Sequence, residues 1–354
     1  MATNTAVTPA GRPLIIPLFI PQRGCPHQCV FCNQRAITGA AARIPTTNQI
    51  RDEVERFMNY AGKRHTNIQI SFFGGSFLGL GKPAVTGLLH AGASFVARQG
   101  VHSLRFSTRP DTVCLETLDW IERFPVSTVE LGAQSMKDRV LKSAGRGHRA
   151  AHTIAAASLL KERGYQVGLQ MMVGLPDDDA AGAMETARQL ADSEPDFVRI
   201  YPTLVLKGSP LARLYRGGKY SPLPLEDCIA LVKKLYLFFK ERRIPVVRMG
   251  LQASDGLTDT GSLLAGPYHP AFGHLVHASV VFDAVSRTLR RMEKPVQPLT
   301  IVTHPHMVSR VQGLKKQNLR YLMRDFGLEK VVLLQDSTLA TDRLIVAGHP
   351  VMLP

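Results

Sequence analysis

No apolar stretch in the sequence approaches the roughly 20 residues that a membrane-spanning helix needs, since Leu14–Ile20 is far shorter and is interrupted by Pro17. A membrane partner is therefore not expected. Met1 to Val7 offers neither a basic segment nor an apolar one, so no secretory signal is visible and a cytoplasmic protein is expected. Tryptophan occurs once, at Trp120, where packing is the simplest role. Low-complexity tracts and solenoid-type repeats are also missing. Acidic residues are few, 28 against 43 Lys and Arg in 354 residues, giving a formal net charge of +15. That surplus suits a polyanionic partner, with nucleic acid the first candidate. Cysteine is scarce as well, with five in the chain.

Three of the five, Cys25, Cys29 and Cys32, share the run Gly-Cys-Pro-His-Gln-Cys-Val-Phe-Cys-Asn, a C-x3-C-x2-C spacing. One short loop of this kind can wrap three corners of a 4Fe–4S cube, whose usual ligands are thiolates, and leave one iron free for another group. A structural zinc knuckle is the alternative, because His27 lies among the cysteines and zinc accepts thiolate and imidazole. Usual zinc sites pair two cysteines with a distant second pair, however, and His27 stands too close to its neighbours to be a comfortable fourth ligand. Cys114 and Cys228 sit in apolar helical contexts and are expected to act as small buried hydrophobes. Ligands that must stay thiolates also suit a reducing compartment.

Between Leu14 and Tyr201, β-rich runs alternate with segments of helical period, as in repeated βα units around a parallel sheet. Six strands are expected: Leu14 to Ile20, Ile68 to Phe73, Ser103 to Ser107, Thr128 to Ala133, Gln166 to Val173 and Phe197 to Tyr201. Thr46 or Thr47 can cap the first intervening helix, Pro83 can begin the next, and Gly164 can close a helix from Ala150 to Arg163. The expected class is α/β, a partial (βα)6 TIM-like barrel with ligands at the C-terminal ends of its strands. The cysteine loop follows the first strand. A long helix from Pro224 to about Arg243 and a strand at Val246 to Met249 come next. Then follow an irregular loop from Gln252 to Pro270, a helix from His274 to Arg291, strand Leu299 to Thr303, a basic helix from Met307 to Phe326, and strands near Val331 to Leu334 and Leu344 to Ala347. The expected division is 1–245 for the core and 246–354 for a smaller α/β extension.

Further motifs stand at the strand ends. Phe72-Phe73-Gly74-Gly75-Ser76-Phe77 closes the second strand in glycines, which let a backbone approach a ligand closely. Ser107-Thr108-Arg109-Pro110-Asp111, Leu131-Gly132-Ala133-Gln134-Ser135, Gly145-Arg146-Gly147-His148 and Gly174-Leu175-Pro176 follow in order. With the cysteine loop, and across residues 10 to 250, this succession resembles the radical S-adenosylmethionine (SAM) half of the Elongator catalytic-subunit family. A more distant likeness is to oxygen-independent coproporphyrinogen oxidase.

The resemblance implies a 4Fe–4S cluster on Cys25, Cys29 and Cys32, with SAM bound to the open iron. It implies that main-chain carbonyls at Gly74 and Gly75 receive the methionine amine, that Gln134 bonds the ribose, and that Arg146 neutralises the carboxylate, a task suited to guanidinium. Gly174 would belong to the adenine-side turn. Gln170 stands where relatives often place a ribose-binding aspartate, and Ser107 where the oxidase branch has a glutamate. The implied chemistry is reductive cleavage of SAM to methionine and a 5′-deoxyadenosyl radical that takes hydrogen from the substrate, fed by an electron donor such as ferredoxin or flavodoxin.

Elongator-type proteins also carry an acetyltransferase domain that serves wobble-uridine modification. The last hundred residues here are too few for one, so that reaction is not expected. RNA, as tRNA, is the expected substrate by kinship and by the basic residues from Arg287 to Lys330, Lys315, Lys316 and Arg320 among them. A small-molecule or porphyrin-like substrate is the runner-up, and a non-catalytic RNA-binding protein with a structural metal site the third reading. Tyr268 and His269, on a loop framed by Gly266, Pro267 and Pro270, are candidate substrate contacts. His304 and His306 follow a strand and can contact phosphate, while Asp177 to Asp179 are expected in a solvated turn with an N-cap.

Overall fold

The computed structural model describes residues 13–20, 23–34, 43–61, 67–98, 100–251, 261–292 and 297–354. Met1 to Val7, Glu293, Lys294 and positions 252–260 of the loop expected from Gln252 lie outside the described residues. Strands β1 (Leu14–Ile20), β2 (Ile68–Gly74), β3 (Ser103–Thr108), β4 (Val126–Gln134), β5 (Gln166–Val173) and β6 (Phe197–Pro202) pair in parallel, in chain order. The expected strands match these to within two residues at each end. Between them run helices α1 (Thr47–Ala61), α2 (Lys82–Arg98), α3 (Leu115–Asp119), α4 (Asp138–Ser143), α5 (Ala150–Glu162) and α6 (Ala180–Asp192). Thr46 is the cap of α1: its Oγ1 accepts from the Gln49 amide while Gln49 Oε1 accepts from the Thr46 amide. This reciprocal pairing satisfies two donors that a helix start leaves open.

Alternation along the strands separates two faces. Ile16, Leu18, Ile70, Phe72, Leu104, Phe106, Val129 and Leu131 are buried toward one, each such side chain contributing about 1.5–3 kcal/mol on leaving water. The other face carries Gln69, Ser71, Arg105, Ser107, Glu130, Gln170 and Arg199. A parallel sheet covered by helices on both sides reads apolar throughout, so this alternation marks a curled sheet with a polar inner wall. It is the expected partial TIM-like barrel. Beyond β6, and after a short β7 (Val205–Leu206) and helix α7 (Pro210–Arg216), the sheet gains a seventh strand, β8 (Val246–Met249). Strand β9 (Leu263–Ala265) pairs antiparallel with β7.

The chain forms two compact units. The first holds the described residues up to Pro222 with Ile244–Val247 and 261–266, and the second holds Leu223–Arg243, Arg248–Leu251 and Pro267–Pro354. In the second unit, α8 (Leu225–Glu241) packs on α9 (Phe272–Arg290). Its sheet has the order β11 (Val331–Gln335), β10 (Leu299–Thr303), β12 (Arg343–Val346), β13 (His349–Met352), of which the last was not expected. Val285, Leu289, Leu299, Ile301, Leu322, Leu344 and Val346 form its core.

The basic helix expected from Met307 to Phe326 is broken. Helix α10 (Val308–Gln312) ends at Gly313, whose φ is +69°, Lys315 and Lys316 are left-handed, and α11 (Gln317–Phe326) starts afresh. Buried Asn318 fixes the break, its Nδ2 donating to the carbonyls of Ala278 (2.9 Å) and Arg310 (3.2 Å). A Cβ on Gly313 would lie 2.8 Å from the Asn318 side chain. Periodicity reads through such a break because the residues on either side remain amphipathic.

Candidate active site

The cysteine loop is seated main chain against main chain. The Gly75 amide donates to Ile20 O and the Ser76 amide to Arg23 O, both at 2.9 Å. A Cβ on Gly75 would fall 1.8 Å from Arg23 O, one on Gly24 2.1 Å from Ser76 O, and one on Gly79 2.0 Å from Gly24 O. Glycine at these three positions is what lets the loop touch the end of β2. Beneath the contact, Phe77 stacks on Phe72 (5.0 Å) and on Phe106 (4.5 Å). Farther along the loop, the Val30 amide donates to Ala144 O (3.0 Å) and the Val30 carbonyl accepts from the Leu211 amide (2.8 Å). His27 lies against Gly147, where a Cβ would meet its ring at 2.1 Å.

Above this seat opens a cavity of about 540 Å³, lined by residues of the first unit alone. Cys25, Cys29 and Cys32 share it with Gly74, Gly75, Gln134, Arg146 and Gln170. Gln170 Nε2 donates to Gln134 Oε1 at 3.1 Å. Gln134 itself has a φ of +68° at an irregularity in the β4–β5 pairing, which turns its side chain inward. Arg146 donates through Nη1 to Cys29 Sγ (3.3 Å) and through Nη2 to the Gly132 carbonyl. Gly174 is not on the lining. It takes a φ of +74°, and its carbonyl accepts from the Tyr220 hydroxyl at 2.6 Å.

Sequence reasoning gave no role to five side chains in or around this cavity. Gln34 Nε2 donates to the Gly74 carbonyl at 2.6 Å. Arg109 is held by Asp111 (Nε–Oδ1 2.9 Å, Nη2–Oδ2 2.7 Å) and also donates to the main-chain carbonyl of Arg146. Glu130 sits between two arginines, Arg105 and Arg199, the latter at 2.7 Å. Arg199 reaches it from β6 across β5, where Glu130 is paired with Gly168 and no side chain intervenes. A charged residue at an inward position of a β-strand needs such a partner, and that rule flags Arg105, Glu130 and Arg199 in the sequence.

The donor set fits a 4Fe–4S cluster. Burial, then the neighbouring Cys29, raises the Cys25 thiol, opposed by Arg146 and Arg109. Burial with Cys29 and Cys25 pushes the Cys32 thiol up to about 12. Holding these thiols as thiolates takes an adjacent cation, such as a metal centre supplies. The volume also lies in the range of small-molecule sites.

The remaining candidates lie in the second unit. Tyr268 has a buried hydroxyl without a hydrogen-bond partner, and His269 Nδ1 accepts from the Ala271 amide (3.0 Å). Lys315, Lys316 and Arg320 are exposed at the break before α11 and along it. His304 Nδ1 accepts from the His306 amide at 3.1 Å. Asp179 caps α6 by accepting from the Gly182 amide (2.6 Å). Cys228 is buried as expected, but Cys114 is exposed, because it stands at the N-cap of the short helix α3 and not inside it.

A family model described as the radical SAM superfamily matches residues 19–190, and one described as the radical SAM C-terminal domain matches residues 195–281. An uncharacterized protein of Methanocaldococcus jannaschii is 30% identical over 221 residues, which are 59% of this chain and 67% of that protein. The tRNA uridine(34) acetyltransferase of the same organism is 32% identical over 133 residues, 37% of this chain and 25% of that protein. A solved structure of archaeal Elp3 from Methanocaldococcus infernus, lacking residues 1–46, is similar in fold with a TM-score of 0.59 at 21% identity, covering 75% of this chain and 62% of that one. The match thus spans between a quarter and two thirds of the length of these relatives.

Proposed function

The chain belongs to the radical SAM superfamily, and on that premise we propose that it cleaves SAM reductively at a cluster held by Cys25, Cys29 and Cys32 and acts on RNA, in the form of tRNA. Members of the superfamily are enzymes that bind a 4Fe–4S cluster and SAM. When bound, the pair supplies one-electron cleavage of the sulfonium and hydrogen abstraction from the substrate. The observation that carries the reading is the convergence of the three cysteines, Gly74, Gly75, Gln134, Arg146 and Gln170 on one cavity at the C-terminal ends of the strands.

Each residue has a task there. The glycine contact holds the cysteine loop still. Gln134 and Gln170, already bonded to each other, present neutral donors and acceptors to a ribose. Arg146 supplies positive charge beside Cys29, where a carboxylate can be met, and the Gly74–Gly75 turn offers main chain to an amine. Polar side chains on the inner wall, Glu130 among them, face a substrate entering the lumen.

Three lines support RNA as that substrate: the net charge of +15, the likeness to a tRNA-modifying relative, and the exposed Lys315, Lys316 and Arg320. Residues 246–354 then serve as the RNA-binding extension, with a ferredoxin or flavodoxin as electron donor and a reducing cytoplasm as the setting. Among the described residues no helix is long and apolar enough to cross a membrane.

The test is anaerobic. Protein reconstituted with iron and sulfide, given SAM and a reductant, forms 5′-deoxyadenosine, and bulk tRNA changes the yield. Cys29→Ala abolishes the product. Equal product from that variant would overturn the cluster assignment, and a yield indifferent to tRNA would overturn the RNA part.

A further inference from the structure

Arg109 is 2% exposed and lines the cavity with the cysteines, yet its Nη1 has no hydrogen-bond partner. Its other donors are committed. Nε and Nη2 are held by Asp111, and Nη2 also meets the Arg146 main-chain carbonyl. A buried guanidinium with two idle N–H groups costs free energy unless an anionic acceptor faces it. The nearby anionic chemistry is the cysteine loop. Arg146 meets the Cys29 side through its 3.3 Å bond to Sγ, and Arg109, with its Nη1 free, lines the same cavity as the three cysteines.

We propose that Arg109 is a positioning residue that anchors Arg146 through its main chain and sets a second positive charge beside the cluster, easing the arrival of the electron. Adding one electron, delivered by an external one-electron donor, increases the negative charge at the three-thiolate site by one unit. Net charge and hydrogen bonds to sulfur are among the factors that set iron–sulfur potentials. A fixed cation nearby favours the reduced form, and the Asp111 carboxylate that holds Arg109 works against it. Two substitutions at one ion pair must then move the potential in opposite directions, which loss of packing alone does not do.

The inference rests on the cluster reading above, and the two can fail separately. The measurement is an anaerobic redox titration of the reconstituted full chain, followed by the electron paramagnetic resonance signal of the reduced cluster, after iron and sulfide have been counted. Arg109→Gln lowers the reduced-to-oxidised ratio at fixed poise by tenfold or more, about 59 mV for a one-electron couple. Asp111→Asn raises it, and Arg109→Lys, which keeps the charge, stays within threefold of the parent. If Arg109→Gln does not retain iron, the Asp111→Asn and Arg109→Lys measurements decide the matter. Iron-loaded variants with an unmoved potential, or two shifts of the same sign, overturn the proposal. A parent protein that binds no iron overturns the cluster reading instead.

Discussion

Gly75→Ala is the sharpest probe of how the cysteine loop is held. Gly75 is not in the left-handed region, so alanine brings no backbone strain of its own, and the whole effect is steric. The added Cβ would sit 1.8 Å from Arg23 O and 2.8 Å from Arg23 C, both main-chain atoms without a flexible side chain to swing aside. Reaching van der Waals contact takes a retreat of about 1.5 Å. The bonds Gly75 N–Ile20 O and Ser76 N–Arg23 O, each 2.9 Å, are carried out of hydrogen-bonding range by such a step. Two lost bonds at about 0.5–1.5 kcal/mol each and an overpacking cost of about 1–3 kcal/mol give roughly 2–6 kcal/mol. The same displacement moves Cys25, two residues beyond Arg23, away from Cys29 and Cys32. Iron content after anaerobic reconstitution and the urea midpoint are the assays, with Gly164→Ala as control. Gly164 has a φ of +77° but nothing within 4 Å of a Cβ, so its variant loses about 1–2 kcal/mol and keeps its iron. A Gly75→Ala protein with a full iron complement and an unshifted midpoint would refute the reasoning.

Other outcomes follow from the buried charges. Glu130→Gln leaves Arg105 and Arg199 without their carboxylate and destabilises the fold by about 3–5 kcal/mol, read as a drop in Tm; an unchanged Tm would show that the triad contributes nothing. His148 is 3% exposed, and burial, followed by the charge of Arg146, holds its imidazole down at about 3, from an ordinary 6.5. The unfolded chain takes a proton that the folded one refuses, so stability present above pH 6.5 is lost as pH falls toward 3. His148→Gln flattens that decline by up to about 1.4 kcal/mol per pH unit, measured as urea midpoints at pH 7.5 and 5; parallel slopes in the two proteins would contradict it. Lys315→Glu with Lys316→Glu weakens tRNA binding and makes it less steep in salt, while an unchanged salt slope would place the phosphate contacts elsewhere.

The strands of the barrel were legible because each is a short run of β-branched and aromatic residues bounded by turns, and the cysteine spacing carries its own chemistry. Strand β8 was legible as a strand but not as a member of the barrel sheet, since four residues at Val246–Met249 carry no mark of which edge they join. Arg109 was read as part of a motif only. Its importance arises from Asp111 beside it and from the Arg146 carbonyl 37 positions away, and no local pattern records the second. The break at Gly313 escaped because Asn318, which fixes it, is one polar residue in a helix otherwise dominated by periodicity. Gly24, Gly75 and Gly79 meet one another only in three dimensions, since Gly24 adjoins Cys25 whereas Gly75 and Gly79 follow β2.

Because the contact under the cysteine loop is made by peptide groups, it places no demand on which side chains surround it beyond three missing β-carbons. Reactive sulfurs and substrate-facing wall are thereby uncoupled. An inner-wall side chain such as Ser107, which lines the cavity, can be exchanged to suit a different molecule without disturbing the footing on which the electron chemistry stands.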